Sequence, residues 1–146
     1  MEVITKNADE TKKLGQKLAA DLVTEGKPLI IALTGDLGSG KTTFVQGFAE
    51  ELEIKGIISP TFILLRKYKV QSTKYKVKYL YHLDLYRLEG KVEDEVKQLG
   101  IEEVWNDPEN IVIIEWAEKI KNIIPENSKW ISFQGLGDNE RKITTL

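Results

Sequence analysis

A glycine-rich segment, residues 35–42, is the feature that most limits the folds open to this chain. Its sequence, GDLGSGKT, matches the pattern G-x-x-x-x-G-K-[ST], in which glycines let backbone N–H groups converge on a phosphate. The apolar run 29–33 before it predicts a strand buried in a parallel sheet, and the apolar stripe within 44–52 predicts a helix after it. Strand, loop and helix in this order are the context that a phosphate-binding loop requires. A glycine-rich turn with an incidental lysine is the alternative interpretation.

The residues of this segment have different predicted roles in binding a nucleotide. Backbone N–H groups and the N-terminus of the following helix would surround the phosphates. The side chain of Lys41 would reach the β- and γ-phosphates, and the hydroxyl of Thr42 would bind Mg²⁺. The predicted nucleotide-binding residues are Asp36, Gly38, Ser39, Gly40, Lys41, Thr42 and Thr43.

A second apolar run, residues 111–114, ends at Glu115 and supplies the acid that a phosphate loop needs. Such loops use an acidic residue near a neighbouring buried strand to organise Mg²⁺ and the attacking water. The carboxylate of Glu115 could hold Mg²⁺ through water or act as the base on that water, and the sequence leaves both roles open. A solvent-exposed carboxylate at the end of an ordinary strand is the alternative interpretation.

The pattern along the whole chain predicts an α/β fold with one domain over residues 1–146. Its architecture is expected to be a three-layer sandwich of the P-loop NTPase type, with a mixed β-sheet and an antiparallel hairpin insertion. Beyond the elements around the loop, apolar spacing predicts a helix that opens at Asn7, a hairpin over 62–88 with its tip near 71–73, a helical stretch over 92–105 and a strand over 130–133.

Composition restricts the class of protein rather than the site. With no cysteine among the 146 residues, disulfides, thiolate metal sites and thiol catalysis are excluded. No apolar run approaches the roughly 20 residues of a membrane helix, and no signal-like segment follows Met1, so we expect a cytoplasmic protein without membrane contact. The net charge of −2 argues against a free-standing nucleic-acid binder, although it combines +4 over residues 1–88 with −6 over 89–146.

Three further segments, taken together with the glycine-rich loop, resemble a known family. They are Ser59-Pro60-Thr61-Phe62, His82-Leu83-Asp84-Leu85-Tyr86-Arg87 and Ile114-Glu115-Trp116. In this order and spacing they resemble the bacterial TsaE (YjeE) family, the ATPase component of the machinery that makes threonylcarbamoyladenosine in tRNA. The resemblance begins at Thr11-x-x-Leu14-Gly15 and includes residues 99–103, whereas residues 117–146 are less diagnostic.

This resemblance implies a Mg²⁺-dependent ATPase that binds ATP. It implies partners similar to TsaD and TsaB, with hydrolysis resetting the partner complex rather than supplying the chemistry of tRNA modification. Turnover by the isolated chain is accordingly expected to be weak.

The resemblance also adds three candidate residues, Thr11, Thr61 and Asp84. It places Thr61 and Asp84 on the γ-phosphate side of the nucleotide, with catalytic roles alongside Glu115, and Thr11 near the base. Physical reasoning agrees for Asp84, because period-two alternation puts it on one face with His82 and opposite the leucines beside it. The alternatives are a structural hydrogen-bond cluster of His82, Asp84 and Arg87 at the strand end and an exposed first-turn helix position for Thr11.

Between Arg66 and Lys78 there are six basic residues and no acidic one, interleaved with tyrosines. Cations beside aromatic rings suggest nucleic-acid binding, because bases stack on rings while lysines neutralise phosphates. Alternation favours a simpler interpretation, in which lysines form a solvated face while tyrosine and valine side chains pack inward. Any contact of this hairpin with tRNA is therefore expected to be weak or indirect, and a partner protein is equally open.

Two other functions fit parts of the pattern. A small-molecule kinase shares the loop and the size, but it usually carries an arginine-bearing lid, and only Arg66, Arg87 and Arg141 exist here. A GTP-dependent switch would need the guanine-reading pattern Asn-Lys-x-Asp, which the sequence lacks. An ATPase therefore remains the leading hypothesis.

Overall fold

A computed structural model describes residues 1–23, 27–57 and 64–145 of the chain. Its elements, in chain order, are β1 (Glu2–Thr5), α1 (Ala8–Leu22), β2 (Leu29–Gly35), α2 (Lys41–Glu51), β3 (Leu65–Lys69), β4 (Tyr79–Asp84), α3 (Val92–Gln98), α4 (Ile101–Trp105), β5 (Asn110–Glu115), a 3₁₀ helix (Ala117–Ile120), β6 (Lys129–Gly137) and β7 (Glu140–Thr145). No helix in these ranges is long and apolar enough to cross a membrane.

The seven strands form one mixed sheet in the order β1-β7-β6-β2-β5-β4-β3. Strands β6, β2, β5 and β4 run parallel to one another, whereas the pairs β1–β7, β6–β7 and β3–β4 are antiparallel. Strand β2 lies at the centre and leads directly into the glycine-rich loop. Since β2, β5 and β4 are parallel, their carboxyl ends meet at one edge of the sheet, beside that loop.

Both faces of the sheet are covered, which confirms the three-layer architecture. One face packs Ile31, Leu33 and Ile113 against Phe44 and Phe48 in the layer of α1 and α2. The other face packs residues such as Ala32 and Ile114 against a second apolar cluster from α3, α4 and the 3₁₀ helix. Because strand side chains alternate, the odd-numbered residues of β2 and β5 face α1 and α2.

Helices α1 and α2 approach closely because glycines lie at their contact. A Cβ atom on Gly47 would fall well inside 3.0 Å of the Lys12 carbonyl oxygen, and one on Gly15 would collide with the Phe44 carbonyl oxygen. The start of α1 is as predicted, since the Asn7 side chain accepts a hydrogen bond of 2.9 Å from the Glu10 amide. The close contact holds α2, and with it the end of the glycine-rich loop, against α1.

The structure corrects the predicted boundaries of the hairpin and of the helical stretch. Lys69 pairs with Tyr79, so the strands are shorter than expected and residues 70–78 form a long connection that includes Tyr75 and Val77. The helical stretch is interrupted at Gly100, whose φ of +75° favours glycine and which caps the start of α4.

Two strands were not predicted at all, β1 and β7. Strand β7 returns from β6 through a tight turn in which Asp138 and Asn139 have φ values of 47° and 67°. Two successive positive φ values are typical of a type I′ hairpin turn. Strand β1 then pairs with β7 at the edge of the sheet, with Thr5 opposite Arg141.

Candidate nucleotide-binding site

The glycine-rich loop adopts a backbone conformation that requires its glycines. Gly35, Gly38 and Gly40 have φ values of 138°, 77° and 99°, in the region that residues with a side chain rarely adopt. The Ser39 amide donates to the Asp36 carbonyl oxygen at 3.1 Å, which closes the loop on itself. Gly40 caps the N-terminus of α2, so unsatisfied helix N–H groups lie at the base of the loop.

A cavity of about 420 Å³ opens over this loop. It brings together most of the predicted site residues from three separate parts of the sequence. Its lining consists of loop and helix residues Leu37, Gly38, Ser39, Gly40, Lys41, Thr42 and Thr43, and of Asp84, Tyr86, Arg87, Glu115, Trp116 and Arg141. The predicted phosphate loop and the predicted acids therefore share one site.

Lys41 is buried at the floor of this cavity. Its Nζ donates to the Gly35 carbonyl oxygen and lies 3.9 Å from the centroid of the Trp116 ring. Burial lowers the pKa of Lys41 below its usual value of 10.5, while the nearby charge of Glu115 acts in the opposite direction. The ammonium group is thus held in place at a position from which it faces the cavity.

Glu115 ends β5 between its two neighbouring strands, opposite Leu33 of β2 and Asp84 of β4. Its side chain is buried, with Oε1 3.4 Å from the Thr42 hydroxyl and Oε2 2.6 Å from His82 Nε2. The alternative of a solvent-exposed strand-end carboxylate is therefore wrong.

Asp84 lies on the same face of the sheet as His82, as the alternation predicted, and borders the same cavity. Its Oδ1 accepts a hydrogen bond of 3.0 Å from the Tyr86 amide. Burial raises the pKa of Asp84 above its usual value of 3.8, and the charge of Glu115 adds to this effect, although the Tyr86 amide opposes it. Two carboxylates on adjacent strands thus differ in environment, since Glu115 has a histidine partner and Asp84 has a backbone partner.

The turn after Asp84 is held by Lys119 from the 3₁₀ helix. Its Nζ donates to three carbonyl oxygens, those of Leu85, Tyr86 and Leu88, at 2.8–3.0 Å. The Tyr86 ring in turn packs at 5.2 Å from the ring of Trp116. Trp116 has a φ of 60°, which is unusual for a residue other than glycine, and such conformations concentrate at functional sites.

Two predicted residues, Asp36 and Thr11, do not line this cavity. A third, Thr61, lies outside the described residues. Asp36 is exposed in the loop, where its carbonyl oxygen, not its carboxylate, has the structural role described above. Thr11 is buried, and its hydroxyl lies 2.7 Å from that of Thr5, so its alternative as an exposed first-turn residue is also wrong.

Arg141 lines the cavity, although no role was predicted for it from the sequence. It comes from β7, an unpredicted strand, and its side chain runs beside Gly40. The one signal available was the Gly137-Asp138-Asn139 segment, which is typical of a hairpin turn and would have indicated the return strand.

The basic hairpin is only partly as predicted. Lys67 and Lys69 are exposed, and Val70 and Val77 pack into the core. Tyr79, however, shares a face with Lys67, whose Nζ lies 4.0 Å from the centroid of its ring. The expectation that tyrosines here pack away from the lysines is therefore wrong for Tyr79. It lies on β4 directly opposite Lys69 of β3, and residues opposite each other on paired strands share a face.

Comparison with known proteins identifies a family. The family model described as "Threonylcarbamoyl adenosine biosynthesis protein TsaE" matches residues 5–143. The chain is 40% identical over 141 residues to the protein named tRNA threonylcarbamoyladenosine biosynthesis protein TsaE from Bacillus subtilis (strain 168), covering 96% of this chain and 81% of that one. It is 36% identical to the protein of the same name from Treponema pallidum, with 99% and 98% covered.

A solved structure is similar as well. The crystal structure of Bacillus subtilis YdiB superposes with a TM-score of 0.74 at 32% sequence identity, covering 99% of this chain and 83% of that one. The agreement extends over the whole sheet rather than over the glycine-rich loop alone.

Proposed function

Since this chain belongs to the TsaE family, we propose that it binds and hydrolyses ATP with Mg²⁺ and acts in the biosynthesis of threonylcarbamoyladenosine in tRNA. The observation that carries the ATPase part is the meeting of Lys41, Thr42 and Glu115 in one cavity over a loop of positive-φ glycines. Each of these groups has a defined task in nucleotide hydrolysis. The role in tRNA modification rests on the names of the relatives.

The residues of the cavity fit a magnesium nucleotide. Thr42 and Glu115 place a hydroxyl and a carboxylate 3.4 Å apart, and Mg²⁺ is usually bound by one or two such oxygens together with phosphates and water. The Ser39 hydroxyl is buried without a hydrogen-bond partner among the described residues, which suits a donor to a phosphate oxygen. When bound, Mg²⁺ would neutralise the charge that develops on the phosphate oxygens.

We assign different tasks to the two carboxylates. Glu115 is the metal-side group, because its Oε1 faces Thr42 while its Oε2 is held by His82. Asp84 is the group that positions the attacking water, since burial raises its pKa towards the range in which a carboxylate accepts a proton effectively. Lys41 balances negative charge at the floor of the site. Thr61 is retained as a third candidate, on the γ-phosphate side.

The proposed partners are proteins similar to TsaD and TsaB, on which the nucleotide cycle of this chain would act. Direct contact with tRNA is expected to be weak at most, through the hairpin between Arg66 and Lys78. Because the modified tRNA is a cytoplasmic molecule, the cytoplasm is the proposed location.

Measurement of ATP turnover and ATP binding tests this function. We expect Lys41→Ala to lower turnover by about 100-fold, and Lys55→Ala, an exposed lysine outside the cavity, to leave it unchanged. Addition of the two partner proteins and tRNA should stimulate the wild type and not the Lys41 variant. The proposal fails if the wild type does not bind ATP with Mg²⁺, if GTP displaces ATP preferentially, or if phosphate passes to a metabolite faster than to water.

A further inference from the structure

Lys119 uses its whole ammonium group to bind one turn of the backbone. Its Nζ donates to the carbonyl oxygens of Leu85, Tyr86 and Leu88 at 3.0, 2.8 and 2.8 Å. A lysine ammonium has three N–H donors and no acceptor, so these bonds use all of its donors. Clusters of backbone carbonyl oxygens are also how proteins bind small monovalent cations. The turn therefore forms a cation site, and the side chain of Lys119 fills it.

The turn that Lys119 binds directly follows Asp84. The Leu88 amide donates to the Leu85 carbonyl oxygen at 3.1 Å, which closes the turn. The Tyr86 amide donates to Oδ1 of Asp84 at 3.0 Å. The direction in which the Asp84 carboxylate points is thus set by an N–H group of this turn.

One peptide group connects the ammonium to the carboxylate. The carbonyl oxygen of Leu85 and the N–H of Tyr86 belong to the same planar unit. Lys119 binds the oxygen of this unit, and Asp84 binds its N–H. A rotation of the peptide plane would break both hydrogen bonds at once. The positive charge at the oxygen also polarises the unit and strengthens the N–H as a donor.

The 3₁₀ helix that carries Lys119 is itself fixed in the core. Its residues Ala117 and Ile120 are fully buried in the apolar cluster on that face of the sheet. The Lys119 amide donates to the Trp116 carbonyl oxygen at 3.1 Å. The ammonium group is thereby placed relative to the end of β5, where Glu115 lies.

The cation site opens to a cavity that is separate from the nucleotide site. This cavity has a volume of about 250 Å³ and is lined by residues 90–94 and by Lys119. It shares no described lining residue with the cavity over the glycine-rich loop. Two carboxylates in its wall, Glu93 and Asp94, offset the charge of Lys91 there and favour the entry of a cation. With the lysine side chain removed, we expect a small cation to reach the three oxygens from this side.

Building on the proposed ATPase function, we propose that Lys119 is a positioning residue, whose ammonium group acts as a built-in monovalent cation. It holds the peptide group between Leu85 and Tyr86 and, through that group, the Asp84 carboxylate. Lys119 does not line the nucleotide cavity, so it acts on hydrolysis through Asp84 and not through the nucleotide. The three carbonyl oxygens form a site that NH₄⁺ occupies when the lysine side chain is absent.

Steady-state kinetics and titration calorimetry separate this role from a general structural one. We expect Lys119→Ala to lower kcat by about 10- to 100-fold, because a misplaced catalytic group costs a factor of this size. Its dissociation constant for ATP with Mg²⁺ should stay within about twofold of the wild type, since the glycine-rich loop is unchanged. Lys119→Arg, which keeps the charge and the donors, should retain most of the turnover. Lys121→Ala removes an exposed lysine two residues further on and should change neither quantity.

Ammonium chloride should restore the turnover of Lys119→Ala. We expect kcat to rise by about fivefold or more, as the geometry around Asp84 is regained. Tetramethylammonium chloride at the same ionic strength is the control, because this ion has the charge but no N–H to donate. The wild type, whose site is already filled, should respond to neither salt.

Amide hydrogen exchange, measured by NMR, gives a readout that does not depend on turnover. The amides of Tyr86 and Leu88 should exchange faster in Lys119→Ala than in the wild type, because the turn opens more often. Ammonium chloride should slow their exchange again. Unchanged exchange in Lys119→Ala would refute the cation site by itself.

The combination of Lys119→Ala with Asp84→Asn tests whether the lysine acts through the carboxylate. Once the carboxylate is gone, Lys119→Ala should lower kcat by less than about twofold more. A further loss as large as in the wild-type background would overturn the proposal. So would a kcat of Lys119→Ala within about twofold of the wild type, a loss that ammonium does not relieve, or an equal loss in Lys119→Arg. If the wild type hydrolyses no ATP, the ATPase proposal itself is wrong.

Discussion

His82 Nε2 lies 2.6 Å from Oε2 of Glu115, and both side chains are buried. Nδ1 of the same histidine is buried without a hydrogen-bond partner in the described part of the chain. The tautomer with its proton on Nε2 is therefore the one that leaves no buried N–H unpaired, and it donates to the carboxylate. His82 thus fixes one oxygen of Glu115 while the other faces Thr42 at 3.4 Å.

Replacing His82 should affect turnover through the orientation of Glu115. We expect His82→Leu to lower kcat by about 10- to 100-fold, the usual effect of losing a group that orients a metal ligand. His82→Gln should recover most of the activity, because its amide N–H can also donate to Glu115. Steady-state kinetics with both variants tests this. Equal losses of kcat in the two variants, with unchanged thermal unfolding, would contradict this explanation. Glutamine keeps a hydrogen-bond donor that leucine lacks, so the donor would then have no effect on Glu115.

Exchanging each acid for its amide should separate the two proposed roles. Glu115→Gln should raise the Mg²⁺ concentration needed for half-maximal turnover, because it removes charge from the metal-side group. Asp84→Asn should lower kcat by about 100-fold or more with the Mg²⁺ dependence unchanged. Titration of turnover with Mg²⁺ measures both effects. The reverse pattern would exchange the assignments of the two carboxylates.

Asp84 should lower the stability of the protein at neutral pH. Burial raises its pKa in the folded state above the unfolded value, so folding favours the protonated form. Its favourable contribution is complete below the unfolded value of 3.8 and is lost as pH rises through the folded pKa. Asp84→Asn should therefore unfold at a higher temperature than the wild type at pH 7, and this advantage should disappear near pH 3.

Asp138→Asn is the matched control for this experiment, since it exchanges an exposed acid on the β6–β7 turn for its amide. We expect it to change the free energy of unfolding by less than about 0.5 kcal/mol at either pH. A stabilisation by Asp84→Asn that persists undiminished at pH 3 would contradict the electrostatic explanation.

Gly47→Ala should destabilise the fold, although alanine is the better helix former by about 1 kcal/mol. The added methyl group would overlap the Lys12 carbonyl oxygen and force α1 away from α2. We expect the free energy of unfolding to fall by about 1–3 kcal/mol in chemical denaturation. Gly135→Ala, where no atom lies within 4 Å of the added Cβ, should change it by less than about 0.5 kcal/mol. Stabilisation by Gly47→Ala would mean that the higher helix propensity of alanine outweighs the overlap with the Lys12 carbonyl oxygen.

The central part of the fold was predictable because its signals are local. The apolar runs that became β2 and β5, the loop between β2 and α2, and the Asn7 cap each lie within a few consecutive residues. Position 84 was placed on the correct face by alternation alone. These predictions needed no knowledge of which strands are neighbours.

The remaining features depend on strand order, which the sequence does not contain. The contact between His82 and Glu115 exists because β4 lies next to β5, and the two residues are 33 positions apart. Arg141 reaches the loop only because β6 and β7 extend the sheet on the far side of β2. The alternative of an exposed Thr11 was wrong because its hydroxyl lies against Thr5 of β1, a four-residue edge strand with little apolar signal.

The three hydrogen bonds of Lys119 have a mechanical consequence. They connect the turn after Asp84 to the 3₁₀ helix that begins two residues beyond Glu115. Neither segment can move relative to the other without breaking contacts to a single ammonium group. A rearrangement at Asp84 or Glu115 would therefore move both segments together, as far as the protein surface. Acetylation of Lys119 would remove the hydrogen bonds that connect the two segments.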